Sequence, residues 1–249
     1  MIALDLGGTR LKAGRVDAAG LVVERLEPRP SGSTWDEARE SVEKAVAELG
    51  RGDDDGDERG GEAVALAMPG VIHGGRVLSL PGKFPGAEGF DVASWLGGPV
   101  VNDAVAAGVG EARAGAGVGC RRVVVVTLGT GVGVCVLEDG RPLGDGPFGG
   151  GILAGQLPLG DGTIESRCRA TASVDVECYR ADVAAGMAAL ATAFGPGRVV
   201  VGGGAATTAG LFDGLEDAVN AQLRFGLRVE VRRSALGDDA ALVGLALLS

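Results

Sequence analysis

Two short glycine-rich segments carry the residue types that hold phosphate: DLGGTRLKAG at residues 5–14 and TLGTGVGVCV at 127–136. Each follows an apolar run and leads into an alternating one, which predicts a strand, a tight turn and a returning strand whose N–H groups can bind phosphate oxygens. In the first, Gly7 and Gly8 let the backbone approach a phosphate, Thr9 adds a hydroxyl, and Asp5 can act on Mg2+ through water. In the second, Thr127, Gly129, Thr130 and Gly131 repeat that set. Lys12 lies on the strand leaving the first loop, a place that suits a phosphate contact or a surface role equally.

Between the loops stand Asn102 and Asp103, where an apolar run meets a helix-forming stretch. Asp103 there is a candidate base for an acceptor hydroxyl, with Asn102 hydrogen-bonding a neighbouring hydroxyl; the pair would also serve as a helix N-cap. Phosphoryl transfer rests mainly on positioning and charge neutralisation. Two loops around one carboxylate therefore suggest a duplicated nucleotide-binding fold closing on a phosphoryl donor and an acceptor.

The elements that must position these residues follow from local pattern. Strands are expected at 2–6, 11–16 and 21–27, then a helix capped by Ser33 or Thr34 and ending at Gly50, with residues 38, 42, 45, 46 and 49 on its apolar face. The acidic stretch 51–62 reads as a solvated loop, with a metal site as the lesser alternative. A strand at 63–68, a hairpin over 71–80, a proline- and glycine-rich loop at 81–89, a short helix at 91–96 and a strand at 99–101 lead to the helix that begins at Asn102-Asp103 and runs to Ala114. The second half repeats the opening, with strands at 123–129 and 132–138. Residues 144–162 hold so many glycines that a mobile loop at the cleft is expected. Helices follow at 164–173 and 176–194, a strand at 198–201, a helix at 210–223, a strand at 227–231 and a last helix at 238–248.

Bulk properties narrow the function. The 249 residues are enough for two lobes, and 46% apolar content is enough to bury their sheets. With 23 basic against 33 acidic residues, the net charge of −10 opposes non-specific binding to nucleic acid or to an anionic membrane, so neither is expected as a partner. Residue 2 already opens the first strand, with no signal peptide pattern and no membrane-length apolar run, so a cytoplasmic location is expected. Cys120, Cys135, Cys168 and Cys178 contain no C-x-x-C pair and His73 is the single histidine, so no zinc site is expected and the cysteines read as reduced packing groups.

DLGGT, the Pro69-Gly70 turn after AVALAM, NDA at 102–104, TLGTGVG at 127–133 and VVGGGA at 200–205 occur in order. This set resembles the ROK family of sugar kinases, within the actin/hexokinase/Hsp70-like superfamily, over nearly the whole chain. The resemblance implies an α/β fold of the two-lobed, duplicated actin-like ATPase (ribonuclease H-like) type with a central cleft. It implies an N-terminal lobe at 1–113, completed by the helix at 238–249, and a C-terminal lobe at 114–237. It also implies ATP and Mg2+ as cofactors, a small-molecule sugar or polyol as acceptor, and a homodimer as one assembly. Gly203 and Gly204 would contact the nucleoside; close helix packing on the sheet is the alternative for that segment.

The departures bear on the substrate. Sugar-binding ROK kinases carry a Glu-x-Gly-His stretch after the second loop, where this chain has Gln156-Leu157-Pro158-Leu159. Gln156 would replace an acidic contact to the sugar, while Glu165 stands where the family has a further sugar-contacting glutamate; an exposed helix carboxylate is its alternative. The family's asparagine in the proline-rich loop is replaced by Gly82-Lys83, and its cysteine-rich zinc motif is absent. The short, zinc-free layout also resembles polyphosphate glucokinases, which leaves ATP and polyphosphate as alternative donors. The expected activity is phosphorylation of a sugar or polyol hydroxyl, set against a polyphosphate-dependent kinase or a non-catalytic sugar-sensing or degenerate ROK protein.

Overall fold

The computed structural model describes residues 1–50, 62–170 and 175–248. These form two compact units: Met1–Ala106 together with the C-terminal helix, and Ala107–Ala240. Of the acidic segment 51–62, read above as a loop or metal site, residues 51–61 lie outside the described residues.

In the first unit, β1 (Ile2–Leu6) is the central strand, which is why four of its five residues are buried. It runs antiparallel to β2 (Arg10–Val16) and parallel to β5 (Val64–Met68). The sheet order is β3-β2-β1-β5-β8, with β3 at Val22–Arg25 and β8 at Val100–Asn102; the two-residue β4 (Arg29–Pro30) also pairs with β2. Helix α1 (Trp35–Leu49) begins where the Thr34 hydroxyl accepts the Glu37 N–H, and Ala38, Val42, Ala45 and Leu49 are buried at helical spacing. A hairpin of β6 (Val71–His73) and β7 (Arg76–Ser79) precedes α2 (Val92–Leu96). The C-terminal helix, here α7 (Ala240–Leu248), is apolar nearly throughout; its Leu242, Val243 and Leu247 lie against Gly14 and Gly20 of the β2–β3 hairpin.

The second unit repeats this plan. Its central strand β9 (Arg122–Leu128) is antiparallel to β10 (Val132–Glu138) and parallel to β14 (Arg198–Gly202). The order β11-β10-β9-β14-β15, with β11 at Arg141–Pro142 and β15 at Glu230–Arg233, matches the first sheet position for position. The internal repeat, faint in sequence, is thus explicit in topology, and the architecture is the expected duplicated α/β fold. Helix α3 (Asp103–Ala114) contains the division between the units, and α5 (Val176–Phe194) and α6 (Leu215–Asn220) pack on the second core.

Three expectations change. Residues 144–162 are not a featureless loop: they hold helical turns at Gly149–Gly151 and Ala154–Gln156 and a small hairpin of β12 (Pro158–Leu159) and β13 (Gly162–Thr163), followed by α4 (Ile164–Cys168). Glycines at positive φ, Gly150, Gly151 and Gly160, let the chain reverse inside short elements. The helix expected at 210–223 contracts to α6, because Gly210 and Gly214 adopt φ of 77° and 68° and interrupt it. The last strand begins at Glu230 instead of 227, since the Asn220 side chain takes both backbone groups of Val229.

The cysteines are unpaired, and burial pushes the thiols of Cys135 and Cys168 up to about 12, as befits packing groups. Among the described residues no helix is long and apolar enough to cross a membrane, and no three metal-binding side chains cluster.

Candidate active site

The first glycine loop joins β1 to β2. The Gly7 N–H donates to the Arg10 carbonyl at 2.9 Å, so this group closes the turn, while Gly8 and Thr9 at the tip are exposed. Beneath the loop lies Ser31, fully buried, whose hydroxyl donates to the Gly7 carbonyl at 2.7 Å and whose N–H donates to the Thr9 carbonyl at 3.2 Å. A buried serine that ties down two loop carbonyls fixes the direction in which the tip faces. Asp5, one strand residue before the loop, is opposite Lys12 in the β1–β2 register, and their charged groups are 3.9 Å apart. Lys12 is therefore engaged with Asp5.

Asn102 ends β8 and Asp103 opens α3, in the same unit as the first loop. The Asn102 carbonyl oxygen accepts the N–H groups of Ala104 at 2.9 Å and Val105 at 3.2 Å, and its amide donates to the Gly70 carbonyl at 2.9 Å. Asn102 thus caps α3 and ties it to the Pro69-Gly70 turn. Asp103 accepts the Ala104 N–H at 2.9 Å. Burial pushes its carboxyl above the usual range, only partly offset by the Ala104 N–H and by the positive charge of Lys83. A carboxylate held poorly solvated at a helix start suits proton abstraction.

In the sequence Lys83 is only a departure from the family pattern. In the structure a methyl group on Gly8 would lie 2.8 Å from its Nζ, so the ammonium rests on the tip of the first loop.

In the second unit, the β9–β10 turn is closed by the Gly129 N–H donating to the Gly131 carbonyl at 2.9 Å, and Ala170 N–H donates to the Gly129 carbonyl at 2.7 Å. Thr130 at the tip is exposed and Thr127 is half-buried at the end of β9. Glu165, on α4, approaches this loop: a Cβ on Gly131 would lie 2.6 Å from its Oε1. Its Oε2 accepts the Gln156 amide. The structure therefore joins Gly131, Glu165 and Gln156 in one cluster. Gly203 has φ of 83°, and a Cβ there would lie 2.4 Å from the Leu128 carbonyl oxygen, so this glycine serves close packing against β9. Gly204, one residue on, faces open space.

In the first unit the donor set fits phosphate oxygens with a magnesium ion: the exposed loop tip carries the Thr9 hydroxyl, Lys83 adds a cation, and Asp5 supplies a carboxylate to Mg2+, which usually retains waters and takes one or two carboxylates plus phosphate oxygens. In the second unit the exposed tip with Thr130 offers backbone and hydroxyl of the same kind.

The family model described as the ROK family matches residues 1–168. The chain belongs to the ROK family. Among curated ROK relatives, an N-acetylmannosamine kinase from Citrobacter koseri is 37% identical over 150 residues, covering 57% of this chain and 49% of the relative; the chain thus spans about half the length of that protein. Among solved ROK structures, the inorganic polyphosphate/ATP-glucomannokinase from Arthrobacter sp. strain KM superposes with a TM-score of 0.80 at 30% identity over 100% of this chain and 97% of that one. A ROK family glucokinase from Streptomyces griseus, solved with glucose and AMPPNP, gives a TM-score of 0.77 at 28% identity over 100% and 98% of the two chains.

Proposed function

We propose that the chain is an ATP-dependent kinase that phosphorylates a hydroxyl of a sugar or sugar-like polyol. The observation that carries this is the placement of Asp103 at the start of α3, in the unit that holds the first glycine loop, where burial raises its carboxyl above the usual range. Asp103 accepts the proton of the acceptor hydroxyl, and the freed oxygen attacks the terminal phosphorus. The loop backbones, with Thr9 and Thr130, hold phosphate oxygens, and bound Mg2+ would neutralise phosphate charge, with Asp5 meeting it through water. Glu165, steadied by Gln156, is the proposed acceptor contact in the second unit. Asn102 orients the helix that carries the base.

Relatives named N-acetylmannosamine kinase, ROK family glucokinase and inorganic polyphosphate/ATP-glucomannokinase support a sugar acceptor and leave a panel to test. A second reading, polyphosphate as donor, is favoured by the similarity to a polyphosphate/ATP enzyme along the full chain. The protein and an Asp103→Asn variant would be incubated with Mg2+, ATP or polyphosphate, and N-acetylmannosamine, glucose, mannose and cyclitols. Donor consumption that requires both acceptor and Asp103 supports the reading; turnover no higher than the acceptor-free background with every acceptor sinks it and favours a sugar-sensing ROK protein.

A further inference from the structure

We propose that Lys83 is a catalytic residue of this kinase: its ammonium, laid across the tip of the first glycine loop, contacts the phosphoryl group in transfer. The inference rests on the kinase reading above. Placement comes first. A methyl group on Gly8 would meet Nζ at 2.8 Å, Cε at 3.0 Å and Cδ at 3.4 Å, so the end of the side chain lies over the loop at a residue with no side chain in its way. The same charge reaches Asp103, whose carboxylate Lys83 favours. The ammonium therefore rests on the proposed phosphate cradle and its charge is felt at the proposed base, where negative charge builds as an oxygen attacks phosphorus. Lys12, the other lysine near this loop, is engaged with Asp5.

The segment that presents Lys83 is held firmly. Glu88 accepts the Leu80 N–H at 2.7 Å and so closes the base of the 80–88 loop. Inside it, Ala87 N–H donates to the Phe84 carbonyl at 3.0 Å, and Trp35 N–H donates to the Pro85 carbonyl at 3.2 Å. Phe84, next to Lys83, has φ of 44° and is only 3% exposed. A bulky residue in the left-handed region persists only where its surroundings impose it, and such positions gather at functional sites. Burying the Phe84 ring offsets that cost.

In the step itself, the acceptor hydroxyl proton passes to Asp103 and an oxygen lone pair forms the new O–P bond. The bond from phosphorus to the bridging oxygen breaks, its electron pair staying with ADP or the shortened polyphosphate. Lys83 keeps its three protons throughout and supplies charge alone.

Lys83→Met keeps the stem over Gly8 without the charge, and Lys83→Arg keeps the charge; Lys83→Gln replaces the methionine variant should that one fail to fold. Turnover is measured with the acceptor that the wild type uses. In parallel, melting temperature is read with Mg-ADP and acceptor, with and without aluminium fluoride, a stand-in for the phosphoryl group in transfer. Loss of turnover by about a hundredfold in the methionine variant, with partial recovery in the arginine one, is expected. The extra stabilisation by aluminium fluoride should vanish in parallel. A methionine variant within threefold of wild type that keeps the full aluminium fluoride gain overturns the role of Lys83 while the kinase reading stands. A wild type that phosphorylates no acceptor overturns both.

Discussion

Ser31 donates its hydroxyl to the Gly7 carbonyl at 2.7 Å from a side chain with no exposed surface. Removing the hydroxyl leaves the half-buried Gly7 carbonyl short of a partner, which costs about 1–3 kcal/mol. Ser31→Ala should therefore lower the melting temperature by roughly 2–4 °C per kcal/mol lost. The loop tip would also lose its fixed direction, so KM for the donor should rise more than KM for the acceptor. A variant with lowered melting temperature and unchanged donor KM would show that Ser31 supports the fold and not the phosphate loop.

Asp103, the proposed base, carries a cost in stability. Its carboxyl is raised above its ordinary value of 3.8 by burial. In the window between 3.8 and the raised folded value, the folded state binds more protons than the unfolded one, so stability falls as pH rises through it. Above that window the buried charge is a standing cost. Asp103→Asn removes this cost, so at pH 7 the variant should melt at the same temperature or higher. Its turnover should drop by about 10²–10⁴. The wild-type rate should climb with pH through an apparent value above the usual carboxylate range, and a variant that is both less stable and fully active would contradict the assignment.

Much of this site was legible because its determinants are local. Alternation flanking the glycines gave β1–β2 and β9–β10, and Thr34 followed by Asp36 and Glu37 gave the start of α1. The apolar run into Asn102-Asp103 located both residues at the strand-to-helix junction. Ser31 was missed because its role depends on β4 pairing with β2, Arg10 opposite Pro30, and a Pro-Ser-Gly-Ser stretch looks like any turn. Lys83 stood out only as a replacement; its contact with Gly8 spans 75 residues of chain and leaves no periodic trace. The late start of β15 has the same origin, since the Asn220 side chain captures the N–H of Val229 at 3.0 Å and its carbonyl at 2.9 Å, groups that an apolar pattern assigns to the sheet.

Adjacent glycines after β14 should separate packing from binding. At Gly203 an added Cβ meets Leu128 backbone atoms at 2.4–2.9 Å, with φ of 83°. Backbone cannot yield as a flexible side chain would, and alanine is strained at that φ. Gly203→Ala should cost about 1–3 kcal/mol or more in chemical denaturation. Gly204→Ala meets nothing within 4 Å and should leave unfolding nearly unchanged. If Gly204 faces the nucleoside, its alanine variant raises ATP KM severalfold at full stability. Equal ATP affinity in Gly204→Ala and wild type would remove this residue from the nucleotide contacts.

The Gln156–Glu165 contact offers a charge test of the acceptor loop. The Gln156 amide now donates to Glu165 Oε2, and Oε1 faces Gly131. Gln156→Glu would set two carboxylates against each other, which raises the pKa of one of them. A raised folded value means stability present at low pH and lost as pH rises through it. The variant should thus match the wild-type melting temperature near pH 4 and fall below it by about pH 6, by an amount set by about 0.5–1 kcal/mol because the pair is solvent-accessible. Acceptor KM should follow the same trend, rising with pH in the variant and not in the wild type, because Glu165 then loses the amide that steadies it toward a hydroxyl. Donor KM should stay constant across the range. A variant whose melting temperature and acceptor KM track the wild type at both pH values would mean that Gln156 does not hold Glu165 in solution, and the acceptor contact would have to be sought elsewhere in the second unit.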